Sequence, residues 1–358
     1  MEESITLRQF NGGTFFTSTL HDVLLPVASE RAAVSVSTLG ETLFSEILYA
    51  VDGFVTLSEL GQLLEPYARK HLALPVTIAC TTDDGSTSGS GTVLYAMADV
   101  GIDASNFCLQ HFLTILDGEK VTALGRRETL WYYGTNEPAC VTAHYDSGDQ
   151  KVFTDIRKMT ESSTYTCIDV SPGNFVDDEG GRVLCGYTVE VGSTSNGGQA
   201  RTQRFTIDHS RPDCAPILEF YNSFGVWELI YCTGTHGVDP EYKRSTTRLG
   251  GRLCQYRVET TRHFKADTGP LTTAMASWAD ELLCSPEVYV VNVEGGEVAS
   301  RGGGRPVVIT ESKSPRSNDD GAMPRFTFTY QYAQRIHTVL QLGRVGRVFD
   351  NTFDGTFD

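Results

Sequence analysis

Ile217-Leu218-Glu219-Phe220-Tyr221, Asn222-Ser223-Phe224-Gly225 and Val226-Trp227-Glu228-Leu229-Ile230-Tyr231-Cys232 follow one another without a break. Two short runs rich in β-branched and aromatic residues flank a cluster of Asn, Ser and Gly, which reads as strand, turn and strand. Outward from this hairpin, similar runs recur at residues 183–191, 203–207, 253–260, 288–293, 306–310 and 326–332. The chain holds 35 glycines, and frequent Asp-Gly, Asn-Gly and Gly-Gly steps punctuate the runs with tight turns. Residues 107–116, then Asp117-Gly118, then a run ending Leu130-Trp131-Tyr132-Tyr133, read as a further hairpin. Gly85-Ser86-Thr87-Ser88-Gly89-Ser90-Gly91 reads as a flexible hairpin loop, because no Lys and no helix follow it to cradle a phosphate.

Helical periodicity is confined to two places. Leu57, Leu60, Leu64 and Tyr67 fall on one face of a segment that Thr56 and Glu59 could open as a capping box and that Pro66 would kink or end. Leu271, Met275, Trp278 and Leu282 repeat at helical spacing, and Cys284-Ser285-Pro286 stops them. The expected fold is mainly β, with two or more antiparallel β-sandwich or barrel modules and two short helices, not a doubly wound nucleotide fold. Composition shifts near residues 134–138. This divides the chain into an N-terminal arm (1–19), a first β-module (20–135), a second (136–342) and a C-terminal tail (343–358).

The 358 residues carry 29 Lys and Arg against 45 Asp and Glu, a net charge of −16. Residues 1–150 contribute 7 − 19 = −12 and residues 151–358 contribute 22 − 26 = −4. Within the second part lies a basic run containing Lys243, Arg244, Arg248, Arg252, Arg257, Arg262 and Lys265. An acidic half and a locally basic half suit head-to-tail contacts between copies; the plainer reading is a set of solvated strand faces. The overall negative charge argues against nucleic acid as a partner. No run approaches the ~18–20 apolar residues of a membrane span, and the acidic start Met1-Glu2-Glu3-Ser4 lacks the apolar stretch of a signal peptide. The 9 cysteines are odd in number and show no C-x-x-C spacing. That pattern points to folding in a reducing cytoplasm without disulfides or a zinc site.

Dinucleotide, Walker A, G-x-S-x-G and H-E-x-x-H motifs are all missing from the sequence, so neither an enzyme nor a cofactor is expected. His144, Asp146 and Asp149 could offer metal ligands but read better as a polar turn. Cys232 and His236 have a spacing open to a nucleophile pair. Cys232 ends an apolar run, however, and reads better as a core residue. At the C-terminus Phe349-Asp350-Asn351-Thr352, Phe353-Asp354-Gly355-Thr356 and Phe357-Asp358 form a four-residue repeat. It is too short for a core of its own, and its Phe side chains are expected to anchor on a neighbouring subunit or a partner protein.

Three signatures occur together: Phe220-Tyr221-Asn222-Ser223-Phe224-Gly225; the succession Thr268-Gly269-Pro270-Leu271, Trp278-Ala279-Asp280-Glu281-Leu282-Leu283 and Ser285-Pro286-Glu287-Val288-Tyr289; and the terminal Phe-Asp repeat. Over residues 217–358 the chain thereby resembles uncharacterised structural proteins of the tail modules of phages and prophages of gut bacteria. The resemblance implies a virion component near the distal tail or baseplate, made in the bacterial cytoplasm and present as a ring of identical copies that bind other tail proteins. Lys243, Arg244, Arg248, Arg252, Arg257, Phe349, Phe353 and Phe357 are the expected partner-binding residues. The alternative is a carbohydrate-binding or adhesin-type β-sandwich, with a host-surface glycan as partner.

Overall fold

A computed structural model describes residues 4–177, 180–192, 199–210, 214–291, 293–294, 297–298, 304–315 and 323–334. Strands dominate, as expected, and they gather around three cores. In the first module a five-stranded sheet runs in the order Thr14–Phe16, Gly85–Leu94, Ala73–Thr82, Arg31–Thr38, Glu41–Tyr49. A smaller sheet of Ile5–Thr6, Val23–Pro26 and Phe54–Leu57 accompanies it. Period-two patterning explains the inner strand: Ala32, Val34 and Val36 are buried, and the residues between them are exposed or half-buried.

Local expectations fail here where packing outweighs propensity. The expected glycine loop is strand Gly85–Leu94. Its glycines admit a short helix α1 (Leu7–Phe10) against the strand: a Cβ on Gly91 would lie 2.7 Å from the Phe10 carbonyl oxygen. The residues expected as an N-terminal arm are therefore part of this module, with Phe10 and Phe16 fully buried. Thr56 lies in a strand and caps nothing; helix α2 (Leu60–His71) starts later, with Glu59 at its N-cap and no side-chain cap bond. Pro66 does not end α2, because burial of Leu60, Leu64 and Ala68 against the module core sustains the turns on either side.

The second module is a sandwich. One sheet runs Gln150–Phe153, Ala139–Tyr145, Leu184–Gly192, Ala200–Ile207, Glu119–Thr122, and the other Thr129–Tyr133, Tyr165–Asp169, Lys158–Glu161. The boundary expected at 135/136 falls inside it, since Thr129–Tyr133 pairs with Tyr165–Asp169. The composition shift that suggested a boundary is a turn, with positive φ at Gly134 and Asn136. The hairpin expected to begin at residue 107 is instead helix α3 (Ala104–Gln110), capped by Asp103, whose carboxylate accepts the Asn106 N–H at 2.9 Å. That Asp, ahead of Ala and Asn, is a cap signal the strand reading passed over.

The third module is a seven-stranded sheet: Trp227–Tyr231, Ile217–Tyr221, Val288–Val290, Arg305–Lys313, Thr327–Tyr332, Arg252–Asp267, His236–Leu249. Helix α4 (Thr273–Cys284) covers one face, packing Met275, Trp278 and Leu282 on a core that includes Phe220, Phe264 and Tyr330. Among the described residues no helix is long and apolar enough to cross a membrane.

Candidate assembly surfaces: a free hairpin arm and a three-module junction

The basic run Lys243–Lys265 lies on the two longest of the described strands, His236–Leu249 and Arg252–Asp267, closed by Gly250-Gly251 at positive φ. A third strand, Thr327–Tyr332, supports only residues 264–267. Beyond that point the hairpin runs for about 35 Å, at ~3.4 Å per residue, with no further strand beside it among the described residues. Leu249, Leu253 and Tyr256 near its tip are 70%, 70% and 69% exposed. An isolated two-stranded ribbon is marginal in water, and its free edges invite pairing.

Cross-strand register divides the arm into two unlike faces. Val238 lies opposite Phe264, Tyr242 opposite Thr260, Arg244 opposite Val258 and Arg248 opposite Leu253. Opposed residues share a face, so this face continues outward from the core position of Phe264. It carries Tyr242, Arg244, Arg248, Leu253, Val258 and Arg262, and no carboxylate. Arg244 lies over the Tyr242 ring at 5.2 Å. The other face neutralises itself: Arg257 meets Glu259 at 2.5 Å, Lys265 meets Asp239 at 2.6 Å and Lys243 lies 3.8 Å from Glu241. Of the five basic residues singled out from the sequence, Arg244 and Arg248 thus stand on an uncompensated cationic and apolar face. Lys243, Arg252 and Arg257 stand on the other. Phe349, Phe353 and Phe357 lie outside the described residues.

Where the three modules meet, the 222–225 turn is inserted among them. Asn222 Oδ1 accepts the N–H groups of Phe224 (3.0 Å) and Val226 (3.1 Å), and its Nδ2 donates to the Leu113 carbonyl at 2.8 Å. Gly225 has φ +77° and faces Leu72 and Tyr95 so closely that a Cβ would lie 2.6 Å from Leu72 Cδ2. This fixes the turn so that Phe224 enters a cluster with Phe16, Phe107, Leu113, Trp131 and Cys167, drawn from the other two modules and the linker between them.

Buried charge lies beside this cluster. Lys120 Nζ donates to Glu128 at 2.7 Å and sits 4.5 Å from the Trp278 ring. Glu228 accepts the Trp278 indole N–H. Burial pushes its carboxyl above the ordinary range; the Lys120 ammonium and hydrogen bonds from Trp278, Thr114 and Asn222 pull the other way. Glu281 Oε1 accepts from Ser223 N at 3.0 Å and from the Ser223 hydroxyl, while its Oε2 has no partner among the described residues. Burial first, then the neighbouring Glu228 carboxylate, pushes the Glu281 carboxyl up to about 7. The folded chain therefore holds a proton that the unfolded chain has released between about pH 4.5 and 7, so stability falls as pH rises through that window and levels off above it. Thermal unfolding followed from about pH 5 to 8 is expected to show this fall, and Glu281→Gln is expected to flatten it. An unchanged slope in the variant would contradict the assignment.

A groove of about 440 Å³ opens at the same junction, between α2, the second module and the outer face of the Ile217–Tyr221 and Trp227–Tyr231 strands. Trp131, Tyr221 and Trp227 line it together with Arg69, Lys70 and Arg127; Glu219 is the carboxylate in its lining. Tyr221 and Trp227 meet edge to face at 5.2 Å. Arg69 lies 3.7 Å from Glu287, both well exposed, a weak pairing.

The other residues that the sequence offered for chemistry are in structural roles. Cys232 is fully buried and its thiol is pushed up by burial, while His236 meets the Tyr330 hydroxyl at 2.9 Å. Arg182 meets both Asp149 and Asp177; hydrogen bonds from Ser147 first and then Arg182 lower the Asp149 carboxyl, and the hydrogen bond from Arg182 lowers that of Asp177. No group of three potential metal-binding side chains occurs among the described residues. The nine cysteines stand outside disulfides; Cys80, Cys108, Cys167 and Cys232 are buried, whereas Cys185, Cys254 and Cys284 are exposed.

No family model and no curated protein matches the chain. Among solved structures, a tandem of titin Ig domains is 15% identical over 57% of this chain and 92% of its own length, with a TM-score of 0.24. A second titin fragment is 12% identical over 58% of this chain and 97% of its own, with a TM-score of 0.25. An I-band titin fragment is 10% identical over 71% and 90%, with a TM-score of 0.19. At these scores the likeness carries no argument. By its own sheets the chain is a mainly β protein of several sandwich-like modules.

Proposed function

We propose that the chain is a non-enzymatic assembly protein of a phage tail, near the distal end or baseplate, which closes into a ring by laying its arm on the next copy. The observation that carries this reading is the cationic and apolar arm face, exposed on both sides of its bulge and without a carboxylate of its own. A fitting acceptor exists elsewhere on the same chain. Strand Glu41–Tyr49 is the outer strand of the first sheet and has no partner on its far side among the described residues. By register Glu41 and Glu46 lie opposite Thr38 and Val34 on one face, and Ile47 and Tyr49, 60% and 75% exposed, lie opposite Ala33 and Arg31 on the other. Neither Glu has an ion-pair partner among the described residues. Arm and edge strand are opposite in charge and both offer backbone hydrogen-bonding groups, and they are different surfaces, so the contact is head-to-tail and closes into a ring if the rotation permits. Negative-stain microscopy and mass photometry of the full chain at low salt should show closed rings. A monomer at all accessible concentrations would overturn the proposal.

A further inference from the structure

We propose that the groove at the three-module junction seats the C-terminal Phe-Asp repeat of the same chain. This is independent of the arm contact. The repeat offers an aromatic ring and a carboxylate in every four residues: Phe349-Asp350, Phe353-Asp354 and Phe357-Asp358. The groove offers the complement, aromatic walls from Trp131, Tyr221 and Trp227 and cations from Arg69, Lys70 and Arg127. Lys70 and Arg127 have no carboxylate within ion-pair distance among the described residues, and the indole N–H of Trp131, a buried residue, has no hydrogen-bond partner there.

The register brings the two together. Tyr332, at the end of the last described strand, is paired with Val307, Val307 with Val288, and Val288 with Phe220. The chain therefore leaves the sheet in the row of Phe220, three strand spacings or about 14 Å from the strand whose Tyr221 lines the groove. Residues 335–348 lie between that exit and the first Phe of the repeat. Extended, such a stretch spans up to about 45 Å, far more than the separation. The sequence alone suggested docking on a neighbouring subunit or a partner protein; the position of the exit favours the chain's own groove.

The test uses the full chain with a photoreactive phenylalanine analogue at position 353, prepared in light and heavy isotope forms and mixed before irradiation. Cross-links are expected to the groove, around Lys70, Trp131 and Trp227, and only within one isotope form. In the chain carrying Lys70→Glu and Arg127→Glu, their yield is expected to fall about tenfold, as loss of charge-assisted contacts implies. Thermal unfolding of that variant checks that it is folded. Should the double reversal unfold the chain, Phe349→Ala with Phe357→Ala is expected to lower the yield in the same way. Light–heavy cross-links would overturn the proposal in favour of docking between copies. Cross-links elsewhere, or undiminished yield in the variants, would overturn it outright. So would an oligosaccharide that fills the groove while the tail cross-link is unaffected.

Discussion

Phe224→Ala is expected to destabilise the chain by about 3–5 kcal/mol, the usual cost of emptying a large buried aromatic site. The ring is 2% exposed, stacks on Phe107 at a centroid distance of 5.1 Å and meets Phe16 edge-on at 5.9 Å. Its neighbours cannot collapse into the space, because they are anchored in different modules: Phe16 on a strand of the first, Trp131 on a strand of the second, Phe107 on α3. The substitution should also weaken the coupling between modules, so that unfolding in denaturant broadens or splits into steps. A loss below about 1 kcal/mol with a single unchanged transition would mean that the junction is not a packing unit.

Reversal of Arg244 and Arg248 to Glu is expected to abolish assembly at micromolar protein while leaving the melting temperature of the monomer within about 2 °C of the parent. Both side chains are exposed, far from any core, and neither has an ion-pair partner to lose among the described residues. Each reversal removes an attraction and installs a repulsion against Glu41 or Glu46, and the effect should be strongest at low salt. Arg257→Glu is the control. Arg257 already meets Glu259 on the opposite face, so its reversal should change assembly little. Sedimentation velocity reads both variants; equal effects of the two would contradict the division of the arm into two faces.

How far the sequence carried this picture depends on what each signal reports. Strand runs such as 217–221 and 227–231 and the Asn222–Gly225 turn were legible because alternation and turn chemistry are local. Residues 85–91 were not: a glycine-rich run looks like a loop until α1 is pressed against it, and that contact comes from residues far away in sequence. The break at 134–138 looked like a domain boundary because turns and linkers share a composition. The basic run was visible, but its division into two faces was not. Separating Arg244 and Arg248 from Lys243 and Arg257 needs the strand register, and register also supplies the carboxylates that neutralise one face. The buried set of Lys120, Glu128, Glu228 and Glu281 was invisible for the same reason. Its members are scattered along the chain, and nothing in their spacing announces that they meet.

The central claim is that the arm of one copy lies on the Glu41–Tyr49 strand of the next. A charge swap in trans tests it most directly. A chain with Arg244→Glu and Arg248→Glu is mixed with one carrying Glu41→Lys and Glu46→Lys, and the mass of the assemblies is measured at low salt. Each variant alone should remain dissociated. Their mixture should form species containing both, joined where the reversed arm meets the reversed edge strand, while a chain carrying all four substitutions should assemble into rings like the parent. Failure of the four-substitution chain to assemble, with the parent forming rings under the same conditions, would contradict the arm-to-edge contact.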